Sequence, residues 1–143
     1  MGPLSPKVYP DTCILIYLVE GHATLAPSID QRMRAVGQAW PTLVFTELTR
    51  MECRVKPLRS SSQLLLAGYE RVFSTPGYFF EPMTRAVFEL ATQLRADHGL
   101  KTPDAVHLAA ALNAHCDEFW TNDLRLANAA QGHLQIVTFE STP

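Results

Sequence analysis

Apolar and polar positions along the chain alternate between short apolar runs and longer stretches of helical spacing. Lys7 to Asp11, KVYPD, is a short run that ends on a carboxylate, and Thr12 to Val19, TCILIYLV, is too apolar for a surface loop. Together they predict a strand leading into a helix. Pro10 has no N–H for a ladder, so its place is the end of that strand or a bulge. Gly21 ends the first helix. Leu25, Ile29, Met33 and Val36 then recur at helical spacing over Leu25 to Val36. After Gly37, Ala39 to Phe45 is rich in strand formers, and Thr46 suits the cap of a helix that Pro57 should stop. One of Ser60, Ser61 or Ser62 starts the next helix, which carries Leu64, Leu65, Leu66, Tyr69 and Phe73 up to the breaker Pro76-Gly77. Tyr78 to Phe80 predicts a short strand.

Pro82 is expected to open a helix striped with Met83, Val87, Leu90, Ala91 and Leu94 and closed near His98-Gly99. Glu118 to Thr121 predicts a brief strand, Leu124 to Ala130 a short helix, and Leu134 to Phe139 a last strand. Strands alternating with helices predict one α/β domain over residues 1–143, with a mainly parallel central sheet of about five strands between helical layers. In such sheets ligands gather at the carboxyl ends of the strands. Asp11 and Asp123 both stand just past such ends.

Between these elements lies Lys101 to Leu112, KTPDAVHLAAAL, a helix with almost no polar face. Thr102 is the expected N-cap, Pro103 the first helical residue, and Asp104 a first-turn acid favoured by the helix dipole. An anion entering an apolar interior must be paired, hydrogen-bonded or metal-bound. Taken alone, Asp104 is equally well explained as a cap-region charge.

Composition narrows the classes. A chain of 143 residues that is 47% hydrophobic can bury a core of its own. No apolar run reaches the roughly 18 residues of a membrane span, and MGPLSPKVYP lacks the apolar segment of a secretory signal. A cytoplasmic protein without membrane association is expected. Cys13, Cys53 and Cys116 are odd in number and lack C-x-x-C spacing, which argues for reduced thiols over a disulfide framework or structural zinc. Twelve basic against fourteen acidic side chains give a net charge of −2, not the footprint of a protein that coats nucleic acid. Sequestering four carboxylates around a cation would leave twelve against ten. Arg50, Arg54, Lys56 and Arg59 are clustered, and the first three are candidates for a phosphate-binding rim, although a solvated face explains Arg50 and Arg54 as well.

Asp11, Glu52, Asp104 and Asp123 come from distant parts of the chain, yet this topology can bring them to one edge. Clustered carboxylates persist at neutral pH only when protons or cations neutralise them. Oxygen ligands select hard ions, Mg²⁺ or Mn²⁺, which lower the pKa of a bound water and stabilise charge on a phosphoryl group. Phosphodiester hydrolysis is the implied chemistry.

These residues carry a resemblance. VYPDTCILIYLVEG, FTELTRMECRVKPLR, GLKTPDAVHLAAALNAHCDEFWTND and the closing LQIVTF resemble, in order and spacing, the PIN-domain ribonucleases, and most of all the toxins of VapBC toxin–antitoxin pairs. The similarity covers nearly the whole chain, and its specific part is the PDA-x-HLAAAL helix followed by T-N-D. It implies a PIN-like three-layer fold and an acidic site of Asp11, Glu52, Asp104 and Asp123. Asp11, Asp104 and Asp123 would hold Mg²⁺ or Mn²⁺, with Thr12, Thr121 and Asn122 in support. Glu47 competes for the second acid, and Glu52 is preferred from its place in the M-E-C segment. Pro10 and Cys13 depart from the family's usual residues without removing a carboxylate. The resemblance further implies an RNA substrate, a small antitoxin and a homodimer. An apparent surplus of apolar side chains on Leu25 to Val36 and Leu64 to Phe73 also favours the homodimer.

Blander or rival readings are weaker. The five histidines show no metal-ligand spacing, and His107 reads as a packed helix histidine. Cys13 has no evident base partner. A haloacid-dehalogenase phosphatase would need an Asp where Cys13 stands, and a response-regulator receiver an acidic pair before its phosphorylated Asp. A noncatalytic PIN-like module binding RNA or protein is the alternative class, and four intact carboxylates weigh against it.

Overall fold

Each strand is short and alternates its side chains between two apolar layers, so the sheet is buried on both faces. The computed structural model describes residues 5–35 and 40–139. Its elements run β1 (Lys7–Pro10), α1 (Thr12–Glu20), α2 (Leu25–Ala35), β2 (Thr42–Phe45), α3 (Glu47–Arg59), α4 (Gln63–Phe73), β3 (Phe79–Phe80), α5 (Arg85–His98), α6 (Thr102–Asn113), β4 (Glu118–Trp120), α7 (Leu124–Ala130) and β5 (Gln135–Val137). The expected positions Val36, Gly37 and Ala39 lie outside the described residues.

The five strands are all parallel in the order β3-β2-β1-β4-β5. Tyr9, Val44 and Phe119 face one apolar layer, which α5, α6 and α7 cover with Val87, Leu94, Leu108 and Ala129. Val8, Leu43, Phe45 and Trp120 face the other, covered from α1, α2, α3 and α4 by Ile14, Ile29, Cys53 and Tyr69. The chain steps from β1 outward to β3 and returns to place β4 on the opposite side of β1. The strand order therefore reverses between β1 and β4, and in such a sheet the crevice that takes a ligand lies at that point, outside the carboxyl ends. Pro10 pairs with Trp120 as the last residue of β1, where its missing donor costs nothing, and Asp11 N–H resumes the ladder to the Trp120 carbonyl at 2.8 Å.

Local expectations needed correction at several places. Pro57 does not stop α3: it removes one bond near the helix end, and the last turn still closes from Ser60 N–H to the Lys56 carbonyl at 3.0 Å. Thr102 is the first helical residue rather than the cap. The Lys101 carbonyl accepts the first intrahelical bond, from Ala105 N–H at 3.0 Å, and no side chain caps α6. Pro82 does not open α5. Thr84, in extended conformation, caps it by accepting from Val87 N–H. The outer strands are shorter than predicted by one to three residues. Leu25, Ile29 and Met33 are buried core, so these α2 positions add no apolar surplus, whereas Leu64 on α4 is 79% exposed. Among the described residues no single helix is long and apolar enough to cross a membrane.

Candidate active site

Asp11 follows the end of β1 and is itself the N-cap of α1, so the strand-to-helix turn fixes its carboxyl at the crevice. Its Oδ1 accepts from Thr12 N–H at 2.9 Å, and its Oδ2 accepts from the Thr121 hydroxyl at 2.9 Å. Thr121, just past β4, also accepts from Asp123 N–H at 3.0 Å. One buried hydroxyl thus joins the two strand ends that flank the crevice. Asp123 caps α7: its Oδ1 accepts from the N–H groups of Arg125 and Leu126 at 3.0 and 3.3 Å, and Oδ2 takes no part in the cap. Asn122 turns instead to the C-terminal segment, accepting from Phe139 N–H at 2.7 Å.

Asp104 enters from the first turn of α6. Burial raises its pKa, and the charges of Asp11, Asp123 and Glu52 push it in the same direction while His107 opposes them. Its carboxyl makes no hydrogen bond or ion pair with any described residue. Nor does any Lys or Arg pair with Asp11, Asp123 or Glu52 among the described residues. The four acids therefore share one electrostatic environment, with His107 beside them and no Lys or Arg paired to them among the described residues. Among the described residues no three His, Cys, Asp or Glu side chains converge closely enough as they stand to hold a metal ion.

Glu52, from the middle of α3, is held on one oxygen. Oε1 accepts from the Thr12 hydroxyl at 2.7 Å and from His107 Nε2 at 2.6 Å. Burial raises its pKa, but the bonds from His107 and Thr12 outweigh burial and hold the carboxyl below its usual range. Glu47, the competing acid, sits exposed in the first turn of α3 without a hydrogen-bond partner among the described residues. At 100° per residue, Arg50 and Arg54 lie about 160° round α3 from Glu52. Lys56 pairs with Glu20 at 3.3 Å. Cys13 Sγ lies 3.8 Å from Asp11 Oδ2, and burial with that neighbouring charge pushes the thiol up to about 12, so it stays protonated near neutral pH.

The sequence treated His107 as packing. In the structure it is buried and bridges Glu52 to the Tyr9 hydroxyl, which lies 2.7 Å from Nδ1. Tyr9 also reaches the hydroxyls of Thr46 and Thr49, each at 3.2 Å. A signal existed: His107 stands three residues after Asp104 on one helical face, and Tyr9, on β1, stands two residues before Asp11.

Comparison with known proteins agrees with this architecture. A family model described as PIN domain matches residues 8–132. Curated protein sequences give no match. Among solved structures, VapBC2 from Rickettsia felis bound to a DNA fragment from its promoter superimposes with a TM-score of 0.71 at 11% identity, covering 94% of this chain and 99% of the other. A toxin–antitoxin complex from Klebsiella pneumoniae gives 0.63 at 22% identity, with 92% and 96% covered. FitAcB from Neisseria gonorrhoeae gives 0.61 at 14%, with 90% and 95% covered. At these identities the likeness is one of fold. The family model spans most of the chain, and on that ground the chain belongs to the PIN domain family.

Proposed function

We propose that the chain is a Mg²⁺- or Mn²⁺-dependent endoribonuclease that hydrolyses RNA phosphodiester bonds, and that it is the toxin of a toxin–antitoxin pair. The observation that carries this reading is Asp104: a carboxyl without hydrogen bond or ion pair among the described residues, raised in pKa by burial and by three neighbouring acids. Such a site favours a cation. Its donors are all oxygens, which suits a hard ion such as Mg²⁺ or Mn²⁺. Asp11, Asp104 and Asp123 would hold the ion. When bound, it supplies a water of lowered pKa and positive charge beside the phosphoryl oxygens. The rest falls to the chain's own groups. Thr121 orients the Asp11 carboxyl and the Asp123 backbone, while Thr12 and His107 fix Glu52 by Oε1. That leaves Glu52 Oε2 as the oxygen that takes a proton from the attacking water.

One solved structure of the same fold, from Klebsiella pneumoniae, is described as a toxin–antitoxin complex, which supports a small antitoxin as partner. An antitoxin Arg or Lys placed among the carboxylates would replace the cation's charge through charge-assisted hydrogen bonds. Mn²⁺ should then bind the free chain more tightly than the complex; equal affinity would remove this mode of inhibition. The homodimer reading now rests on α3 and α4, where Met51, Val55 and Leu58 repeat at helical spacing beside Leu64, all exposed. Light scattering at micromolar concentration tests it, and a monomer would end it. For the reaction, purified chain is incubated with RNA and Mg²⁺ or Mn²⁺. Cleavage should stop with chelator and with Asp104→Asn, and cleavage by Asp104→Asn at the wild-type rate would refute the site.

A further inference from the structure

A carboxylate oxygen only accepts, so the 2.6 Å bond between His107 and Glu52 Oε1 requires the proton on Nε2. A neutral ring then presents Nδ1 as an acceptor, and the group 2.7 Å away is the Tyr9 hydroxyl. Tyr9 has a single proton to give. With that proton committed to Nδ1, its oxygen is left to accept from Thr46 and Thr49, whose hydroxyls lie 3.2 Å away. Those threonines are themselves tied down. Thr46 caps α3 by accepting from Thr49 N–H at 3.3 Å, and Thr49 Oγ1 accepts from Thr46 N–H at 3.2 Å. Tyr9, Thr46, Thr49 and His107 are at most 1% exposed. With the ring neutral, every polar atom in the chain of contacts from the α3 cap to Glu52 has a partner; a doubly protonated ring would reverse the donation at Tyr9.

We infer that His107 is a positioning residue whose Nε2–H, its tautomer set by the Tyr9 hydroxyl, holds Glu52 by Oε1 and leaves Oε2 directed to the reaction. The inference rests on the nuclease reading only for what Glu52 does afterwards. The relay itself is a property of the fold, joining β1, α3 and α6 at three points of the sequence. Thr12 alone would leave Glu52 pivoting about a single bond. With His107 as second donor to the same oxygen, the carboxyl has one orientation, a form of support common around catalytic and metal-binding groups.

The test uses two independent measurements on the full chain. First, nitrogen-15 spectra of the wild-type histidines near neutral pH should show His107 as the neutral Nε2–H tautomer, and Tyr9→Phe should disturb that signal. An Nδ1–H ring or an imidazolium in the wild type overturns the relay whatever an RNA assay gives. Second, His107→Leu, His107→Asn and His107→Gln are compared on RNA, with folding checked by circular dichroism. Gln places an amide donor where Nε2 stands, whereas Asn reaches only as far as Nδ1. Loss of such a supporting partner typically costs about 10- to 100-fold, so kcat should fall by that much in Leu and Asn with KM unchanged, and Gln should recover most of it. A folded Gln variant as slow as Leu, or a change confined to KM, refutes the positioning role. If wild-type chain leaves RNA intact, the nuclease reading fails while the tautomer still decides the relay. If Glu52→Gln cleaves normally while Asp104→Asn is dead, Glu52 has no role in the reaction and the positioning proposal falls with it.

Discussion

Replacing Tyr9 with Phe removes one hydroxyl from a side chain that is 0% exposed and strands a specific atom. Thr46 and Thr49 are not stranded, since each accepts a backbone N–H of the other and their hydroxyls lie 3.3 Å apart. His107 Nδ1 is stranded, because Tyr9 is its only hydrogen-bond partner among the described residues. A net hydrogen bond contributes about 1 kcal/mol, and an unpaired buried acceptor costs about 1–3 kcal/mol more. The easier burial of Phe offsets part of this. The expected loss is about 2–3 kcal/mol, a sizeable share of the roughly 5–15 kcal/mol that holds a domain of this size together. At about 3–4 °C per kcal/mol, Tm should fall by about 6–12 °C. Urea unfolding followed by circular dichroism should show a lower midpoint with an unchanged slope. The mechanism is separated from simple loss of a contact by Tyr9→Phe combined with His107→Leu. Removing both partners of a buried hydrogen bond leaves nothing unsatisfied, so the double variant should lose at least about 1 kcal/mol less than the two single losses combined. A Tyr9→Phe cost below about 0.5 kcal/mol, or strict additivity, would refute the assignment of Nδ1 as an acceptor fed by Tyr9.

The other predictions concern the acids. Asp104→Asn in chelator should stabilise the fold by about 1 kcal/mol, since solvent screens part of the repulsion it relieves. The sign follows from linkage: a carboxyl whose folded pKa is raised is penalised above that value and relieved as pH falls through it. The advantage of the variant should therefore be largest near neutral pH and vanish on acidification, and a pH-independent difference in unfolding midpoint would count against the shared acidic environment. Asp123→Asn should keep the α7 cap and lose the charge, whereas Asp123→Ala should lose both and about 1 kcal/mol of stability; equal thermal midpoints would show the cap to be idle. Glu52→Gln should slow RNA cleavage far more than Glu47→Gln, and the reverse order in a single-turnover assay would reassign the second acid.

The sequence determined the parallel architecture and the placing of Asp11 and Asp123, because both follow from local pattern: short apolar runs ending on carboxylates, followed by helical spacing. Helix starts were legible at Thr46, whose capping side chain is itself the signal, and narrowed to three serines before α4, of which Ser62 is the cap, while the Thr84 cap of α5 was passed over for Pro82. Helix ends were misread where a backbone carbonyl decided the matter, as at Lys101, or where proline fell close enough to a helix end to be tolerated, as at Pro57. Which way α3 presents Glu52, and which helices expose apolar surface, depended on packing and so on the tertiary structure. The relay from Tyr9 through His107 to Glu52 spans separations of 98 and 55 residues. No local periodicity encodes such a contact. The apolar face of α6 implied only that His107 would be buried, and the hydroxyl and carboxyl that satisfy its two nitrogens were fixed when β1 and α3 were brought against it.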